Sequence, residues 1–286
     1  MDKHVLIKPQ VSDNQLTTIK LLRKRIKVNE EGIENVFFKI AETKAELESA
    51  YHLIHEIYIK NGYMNPSPSR LRFGFYNAMP YTQTFIGNID SETMVTMTLF
   101  PDSPLGLPLD DVFRKEADCL RSQGRYLAEV GGLGSVINNQ NAIMHLIKIL
   151  YCYAEEYQKV DDLLITVHPK HKNFYKIILG FEEIGETKSY AYVMDNPAVA
   201  LKIDLHKYRE DYWNFYPREP LENDLYHFFF IKNSNSISLP EKKVPLHVWN
   251  PKLFDYFFKE KTSLYAEADS KTKDLLQKYY TEYAVA

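Results

Sequence analysis

Apolar residues recur along the chain with two periods, and the change from one to the other marks out the elements. Residues 35–43, with Val36, Phe37, Phe38 and Ile40, predict a first core strand. Thr43 and Glu46 then form a capping box, in which hydroxyl and carboxylate each satisfy an orphan backbone N–H. Leu47, Ala50, Tyr51, Ile54 and Ile57 follow at helical spacing and carry a helix to Asn61-Gly62. Residues 64–80 are rich in Pro, Ser and Asn and predict a loop or short irregular helix. In 93–100, Val95, Met97 and Leu99 alternate with threonines; with 82–89 across the turn at Asp90-Ser91 this predicts an antiparallel hairpin. A turn-rich connector, 101–108, leads to a helix from Asp110-Asp111 to Arg121, acidic in its first turn and basic in its last, as the helix dipole favours.

The next stretch organises the rest. Tyr126, Leu127, Val130, Leu133 and Val136 read as a buried strand, yet Gly131, Gly132 and Gly134, three of the 11 glycines, fall inside it. Glycine weakens a strand, so this cluster predicts a bulge or a close approach to the backbone. Asn138-Asn139 is a capping pair, and Ile143, Leu146, Ile147, Leu150 and Ala154 predict the helix behind it. A strand that opens at a bulge and feeds a helix N-terminus offers a ligand backbone donors and a positive dipole end. Glu129 is the one acid in that strand. Residues 162–167 predict a fully buried strand, and Phe174, Tyr175, Ile178 and Leu179 a short helix stopping at Gly180. Further strands are expected at 181–184, 191–194 and 199–205. This order predicts a mixed α/β (α+β) fold, a partly antiparallel sheet flanked by helices.

Three segments follow: an arm over 1–34, a main domain over 35–205, and an aromatic-rich helical extension over 206–286 carrying Trp213, Trp249, Phe254, Tyr256, Phe257 and Phe258. The arm's cluster of Lys20, Arg23, Lys24, Arg25 and Lys27 is expected to be a solvated helix face.

Composition narrows the function by exclusion. A net charge of −3 gives no global field for nucleic acid or membrane. No run approaches a membrane span, and the first residues lack the apolar core of a signal peptide. Cys119 and Cys152 have no metal-ligand spacing and suit a reducing compartment, so a cytoplasmic protein is expected. His52, His55 and Glu56 do not make the His-Glu-x-x-His zinc arrangement and read as a partly exposed helix face; no metal is expected.

The element order resembles the GNAT acyltransferase fold. Pro104-Leu-Gly-Leu-Pro-Leu-Asp-Asp-Val-Phe113, Leu120-Arg121 and Arg125-Tyr-Leu-Ala-Glu-Val130 resemble the N-acyl amino acid synthases (FeeM-like), relatives of the acyl-homoserine lactone synthases. Phe174-Tyr175 leading into Leu179-Gly-Phe-Glu-Glu-Ile-Gly-Glu186, and Pro197-Ala-Val-Ala-Leu-Lys-Ile-Asp-Leu205, support the same likeness over about 35–205. The resemblance implies transfer of a fatty acyl group from the thioester of an acyl carrier protein, or acyl-CoA, to the amine of an amino acid or similar small amine, with no tightly bound cofactor. Where family members usually follow the glutamate with a small residue and an arginine, Gly131-Gly132 stand here, so another cation or another acceptor is implied.

That chemistry assigns roles. An amine attacks a thioester only when unprotonated, which calls for a base, and Glu129 is the candidate. Backbone N–H groups of Val130, Gly131, Gly132 and Leu133 are candidates for the oxyanion and the pantetheine arm, with Asn138 and Asn139 at the helix start. Tyr175 is the candidate proton donor to the thiolate. Arg70, Arg72, Asp102 and Asp110 are weaker candidates for the acceptor pocket; Arg114, Lys115, Arg121, Arg125, Lys170, His171 and Lys172 would dock an acidic carrier. Acetyl-CoA enzymes of this fold usually carry a glycine-rich pyrophosphate cradle at the helix start, where this chain reads Ile137-Asn-Asn-Gln-Asn-Ala-Ile143. The alternatives are a CoA-dependent N-acetyltransferase and a non-catalytic acyl-binding protein.

Overall fold

The computed structural model describes residues 13–216, 218 and 220–282. Helix α1 (Asp13–Arg25) precedes strand β1 (Phe37–Ile40), helix α2 (Lys44–Lys60), strands β2 (Gln83–Ile89) and β3 (Glu92–Pro101) and helix α3 (Asp110–Arg121). Then come β4 (Leu127–Ser135), α4 (Gln140–Glu156), β5 (Asp162–Val167), β6 (Glu182–Glu183), β7 (Lys188–Tyr190) and β8 (Asn196–Asp204). The extension carries α5 (Tyr208–Phe215), α6 (Pro251–Asp255), α7 (Leu264–Glu267) and α8 (Ser270–Glu282). The strands run in the order β1-β2-β3-β4-β5-β8-β6, with β7 on β8. Every pairing is antiparallel except β4 with β5.

That parallel pair positions the site. β4 and β5 are in register from Leu127↔Asp162 to Val130↔Ile165 and then part, although each strand continues. The departure begins at the expected bulge: between Thr96↔Gly134 and Thr98↔Gly131, the single residue Met97 of β3 faces Gly132 and Leu133 of β4. Gly132 adopts φ +58, the left-handed region that penalises a Cβ. Gly134 answers a different need. A Cβ there would stand 2.7 Å from Ile54 Cδ1 and 2.9 Å from Ile57 Cδ1, so its hydrogen lets α2 lie directly on the strand.

Successive β4 side chains point to opposite faces. Leu127 packs with Phe113, Leu164 and Tyr190; Ala128 and Val130 pack toward Leu146, Leu150 and the rest of the α4 side. The extension covers both faces. Tyr208, Tyr212, Leu225, Phe228 and Phe229 join the α4-side core, and Trp249, Leu253, Phe254, Phe257 and Phe258 join Leu47, Tyr51 and Ile86 on the α2 side. Part of the arm is built in as well: Ile26, Val28 and Ile33 are buried in the α4-side core.

Three local expectations are revised. Residues 191–194 are not a strand. Ala191–Val193 form a 3₁₀ turn at the tip of the β7–β8 hairpin, and Met194 and Asp195 are both left-handed, at φ 55 and 57; the run is apolar because Tyr192 and Val193 face a cavity. The short helix after β5 is a single π-helical turn, Phe174–Ile178. The arm's basic face is not wholly solvated: Arg23 lies 3.8 Å over the Phe215 ring and donates to the Ile177 carbonyl at 2.8 Å.

Candidate active site

A cavity of about 550 Å³ occupies the gap where β4 leaves β5. Glu129 to Leu133 of β4 and Ile165 to Val167 of β5 form its neck. On one side lie Tyr58, Arg72, Tyr76 and Tyr192; on the other, Ile143, Ile147, Leu150 and Tyr151 of α4. It therefore passes through the sheet, because strands that stop pairing leave room for a ligand between them.

Glu129 is the carboxylate that lines this cavity, and it is 4 % exposed. One oxygen accepts the Leu109 N–H at 2.6 Å and the other the Thr166 hydroxyl at 3.4 Å. Burial raises its carboxyl to about 8, the two hydrogen bonds pulling in the opposite direction. The Leu109 N–H is held in turn by the connector before α3. Asp110 accepts the Leu107 N–H at 3.0 Å, and Arg121 binds Asp110 at 2.8 Å and Asp102 at 2.6 Å.

Arg72 faces the same cavity. Its guanidinium lies 3.9 Å over the Tyr192 ring and 5.1 Å from that of Tyr58, and it donates to the Tyr192 carbonyl at 2.8 Å. Among the described residues no carboxylate pairs with it. The negative charge of Glu129 reaches Tyr58, Tyr76 and Tyr190, all shifted upward chiefly by burial. Carboxyl, guanidinium and tyrosines thus surround one chamber.

Val130, Gly131, Gly132 and Leu133 all line the cavity. Tyr175 lines it too, and burial raises its hydroxyl to about 12. Its ring packs edge-on to Phe174 and Phe181 against the α4-side core, whereas the groups feeling Glu129 are Tyr58, Tyr76 and Tyr190, so Tyr175 belongs to the α4 side rather than the carboxyl's chamber. Asn139 is committed elsewhere. It caps α4 by accepting the Asn141 N–H at 2.9 Å and donates to the Glu31 carbonyl at 2.6 Å. Asn141 pairs with Asn29 at 2.7 Å, so residues 29–32 lie across the start of α4, and Asn138 is exposed beside them.

Arg70 and Asp102 are outside the cavity. Arg70 bonds Glu56 at 3.2 Å, and its carbonyl meets His52 Nδ1 at 3.0 Å. His55 accepts the Ser67 N–H on Nε2 and therefore donates from Nδ1 to Glu56, 3.1 Å away. The ligand atoms of His52, His55 and Glu56 lie within 4.8 Å of one another, and their hydrogen bonds hold the loop that carries Arg72. Asp102 is bound to Arg121. Two expected docking cations are also spent internally: Arg121 as described, and Arg125 on Asp162 at 2.5 Å and Asp204 at 3.0 Å. Both sit at the start of β4, the end remote from the gap. Lys172 is shared with Glu183 at 3.1 Å, Arg114 is 3.8 Å from Asp110, and Lys170 is exposed just after β5. Sequence reasoning missed the tyrosine chamber, whose tyrosines come from three separate segments: α2, the connector before β2 and the β7–β8 hairpin.

The model of the family described as N-acyl amino acid synthase FeeM matches residues 49–204, more than half of the 286. The chain belongs to that family. It is an N-acyltransferase, which removes the non-catalytic alternative, and its sheet is mixed and mostly antiparallel, with β4 and β5 splayed apart, as the element order implied. The solved structure of FeeM, an N-acyl amino acid synthase from uncultured soil microbes, is 26% identical, with a TM-score of 0.55 over 61% of this chain and 93% of that one. The CoA-dependent acyl-homoserine lactone synthase BjaI, solved with SAM and isopentyl-CoA, shares the fold at 13% identity and a TM-score of 0.50, over 73% of this chain and 96% of its own. No curated protein sequence is significantly similar. Among the described residues, no helix is long and apolar enough to cross a membrane.

Proposed function

We propose that this family member moves a fatty acyl group from acyl carrier protein to the α-amine of an amino acid. The observation that carries this reading is the pairing, in one cavity at the strand gap, of a buried carboxyl near pKa 8 with an arginine that no carboxylate among the described residues neutralises. Arg72 would bind the acceptor's carboxylate through its planar fork, supplying the cation that Gly131-Gly132 leave out of β4. Its amine would then face Glu129. The nitrogen must shed a proton to become an amide, and a carboxyl raised to about 8 is a stronger base for that step than an ordinary carboxylate.

The amine nitrogen attacks the thioester carbonyl, and backbone N–H groups freed by the bulge at Gly132 receive the oxyanion. The C–N bond forms, the C–S bond breaks, and the thiolate leaves. The acceptor enters as the free amine, its ammonium proton left in solvent; Glu129 takes the proton that the nitrogen sheds as the C–N bond forms and returns it to the sulfur. Tyr175 is not needed for this step.

The carrier is favoured over CoA as donor because residues 29–32 occupy the helix start where a pyrophosphate would be cradled. A pantetheine arm has no pyrophosphate. Lys170, exposed just after β5, is placed where an acidic carrier would approach that end of the gap. The test offers the protein acyl-carrier protein or acyl-CoA with an amino-acid mixture or the corresponding decarboxylated amines, and reads amides by mass spectrometry. Product from the carrier and the amino acids supports the proposal. Equal turnover of the decarboxylated amines removes Arg72 from acceptor binding, and product from acyl-CoA alone removes the carrier.

A further inference from the structure

The cavity has a far end. Ile143, Ile147, Leu150 and Tyr151 share one face of α4 and line the cavity with Gln140 at its start. From Gln140 to Tyr151 the helix rises by roughly 16 Å, so this branch is an apolar channel suited to a fatty chain and far longer than an acetyl group needs. A second cavity, of about 330 Å³, lies between α4 and the extension; Ile149, Phe229, Phe230, Ile237 and Leu239 are among its walls. Among the described residues, Tyr151 is the one that lines both. It is 4 % exposed, and its ring is held from behind by the extension, 5.6 Å from the Tyr208 ring and 5.3 Å from that of Phe229.

We propose that Tyr151, backed by Tyr208 and Phe229, is the bulkhead that ends the acyl channel and so sets the longest acyl chain the enzyme transfers. The inference rests on the N-acyl transfer reading above. The ring rather than the hydroxyl is what blocks, since the ring packs against Tyr208 and Phe229 while the hydroxyl has the Tyr212 hydroxyl as its neighbour. The wall also lies partly outside the matched family region, which ends at residue 204, so the limit is a property of this chain's extension.

The experiment is a competition among saturated acyl thioesters of graded length, with amide products resolved by mass spectrometry. Tyr151→Ala joins the two cavities, and the ratio of over-long to native-length product should rise roughly 10-fold or more, since crowding out even one methylene discriminates by that factor. Tyr151→Phe should keep the wild-type profile. An unchanged profile in folded Tyr151→Ala overturns the proposal, as does a shifted one in Tyr151→Phe. Should the alanine variant not fold, the native enzyme decides: an acyl thioester of native length with a terminal diazirine should label Tyr151 or its ring neighbours, and labelling elsewhere overturns the bulkhead. A wild type that makes no amide from any thioester refutes the acyl-transfer reading instead, an outcome the labelling does not share.

Discussion

At the scale of single residues, the site depends on two charges kept under unlike conditions. Glu129 is buried and held near 8, so the active carboxylate grows in as pH rises; kcat/KM should climb with an inflection near 8. Glu129→Gln should lower turnover about 100-fold or more and abolish that limb, leaving only the acceptor amine's own titration. The same group bears on stability. Its folded value is raised above the ordinary 4.5, so it favours the fold fully below pH 4.5 and that contribution is lost as pH climbs to about 8. Thermal melts of wild type and Glu129→Gln should therefore agree near pH 4.5 and diverge in the variant's favour by pH 9. Arg72→Ala should raise KM for an amino acid at least about 10-fold, the scale of a charge-assisted pair, and leave KM for a carboxylate-free amine unchanged.

At the scale of elements, the bulge in β4 sets the geometry. Gly132→Ala should cost about 1–2 kcal/mol through its left-handed backbone alone, and a urea titration reads that directly. Much of this level was legible in the sequence. The helix over 44–60, the hairpin over 83–101 and the bulge each carried a local signal: a capping box, a two-residue alternation, three glycines in a strand. What was not legible depended on distant partners. Nothing in Ala191 to Met194 distinguishes a strand from a hairpin tip, because the apolar side chains answer to a cavity built by other segments. Arg121 and Arg125 read as surface cations until Asp102, Asp110, Asp162 and Asp204 are brought to them by the fold. Asn139 illustrates the converse: its capping role was readable, its commitment to Glu31 was not.

Across the whole molecule, the extension is bound into the fold through α4. His145 is fully buried, stacked on Phe38 at 5.5 Å and set edge-on to Phe228 at 5.0 Å, so it ties β1, α4 and the extension together. Burial lowers its pKa to about 4 from 6.5; a folded value below the unfolded one means stability is present above pH 6.5 and is lost as pH falls toward 4. His145→Phe should therefore melt less steeply with acidification over that interval, as followed by circular dichroism. The extension also takes up one margin of the sheet. Phe38 donates its N–H to Ser236 and accepts that of Ser238, so residues 236–238 run along the outer rim of β1. An open rim of unpaired amides and carbonyls invites stacking against another molecule's ribbon; this polypeptide fills the berth with its own tail, and cutting the chain after residue 205 should turn a monodisperse species into one that clumps on concentration, as light scattering would register.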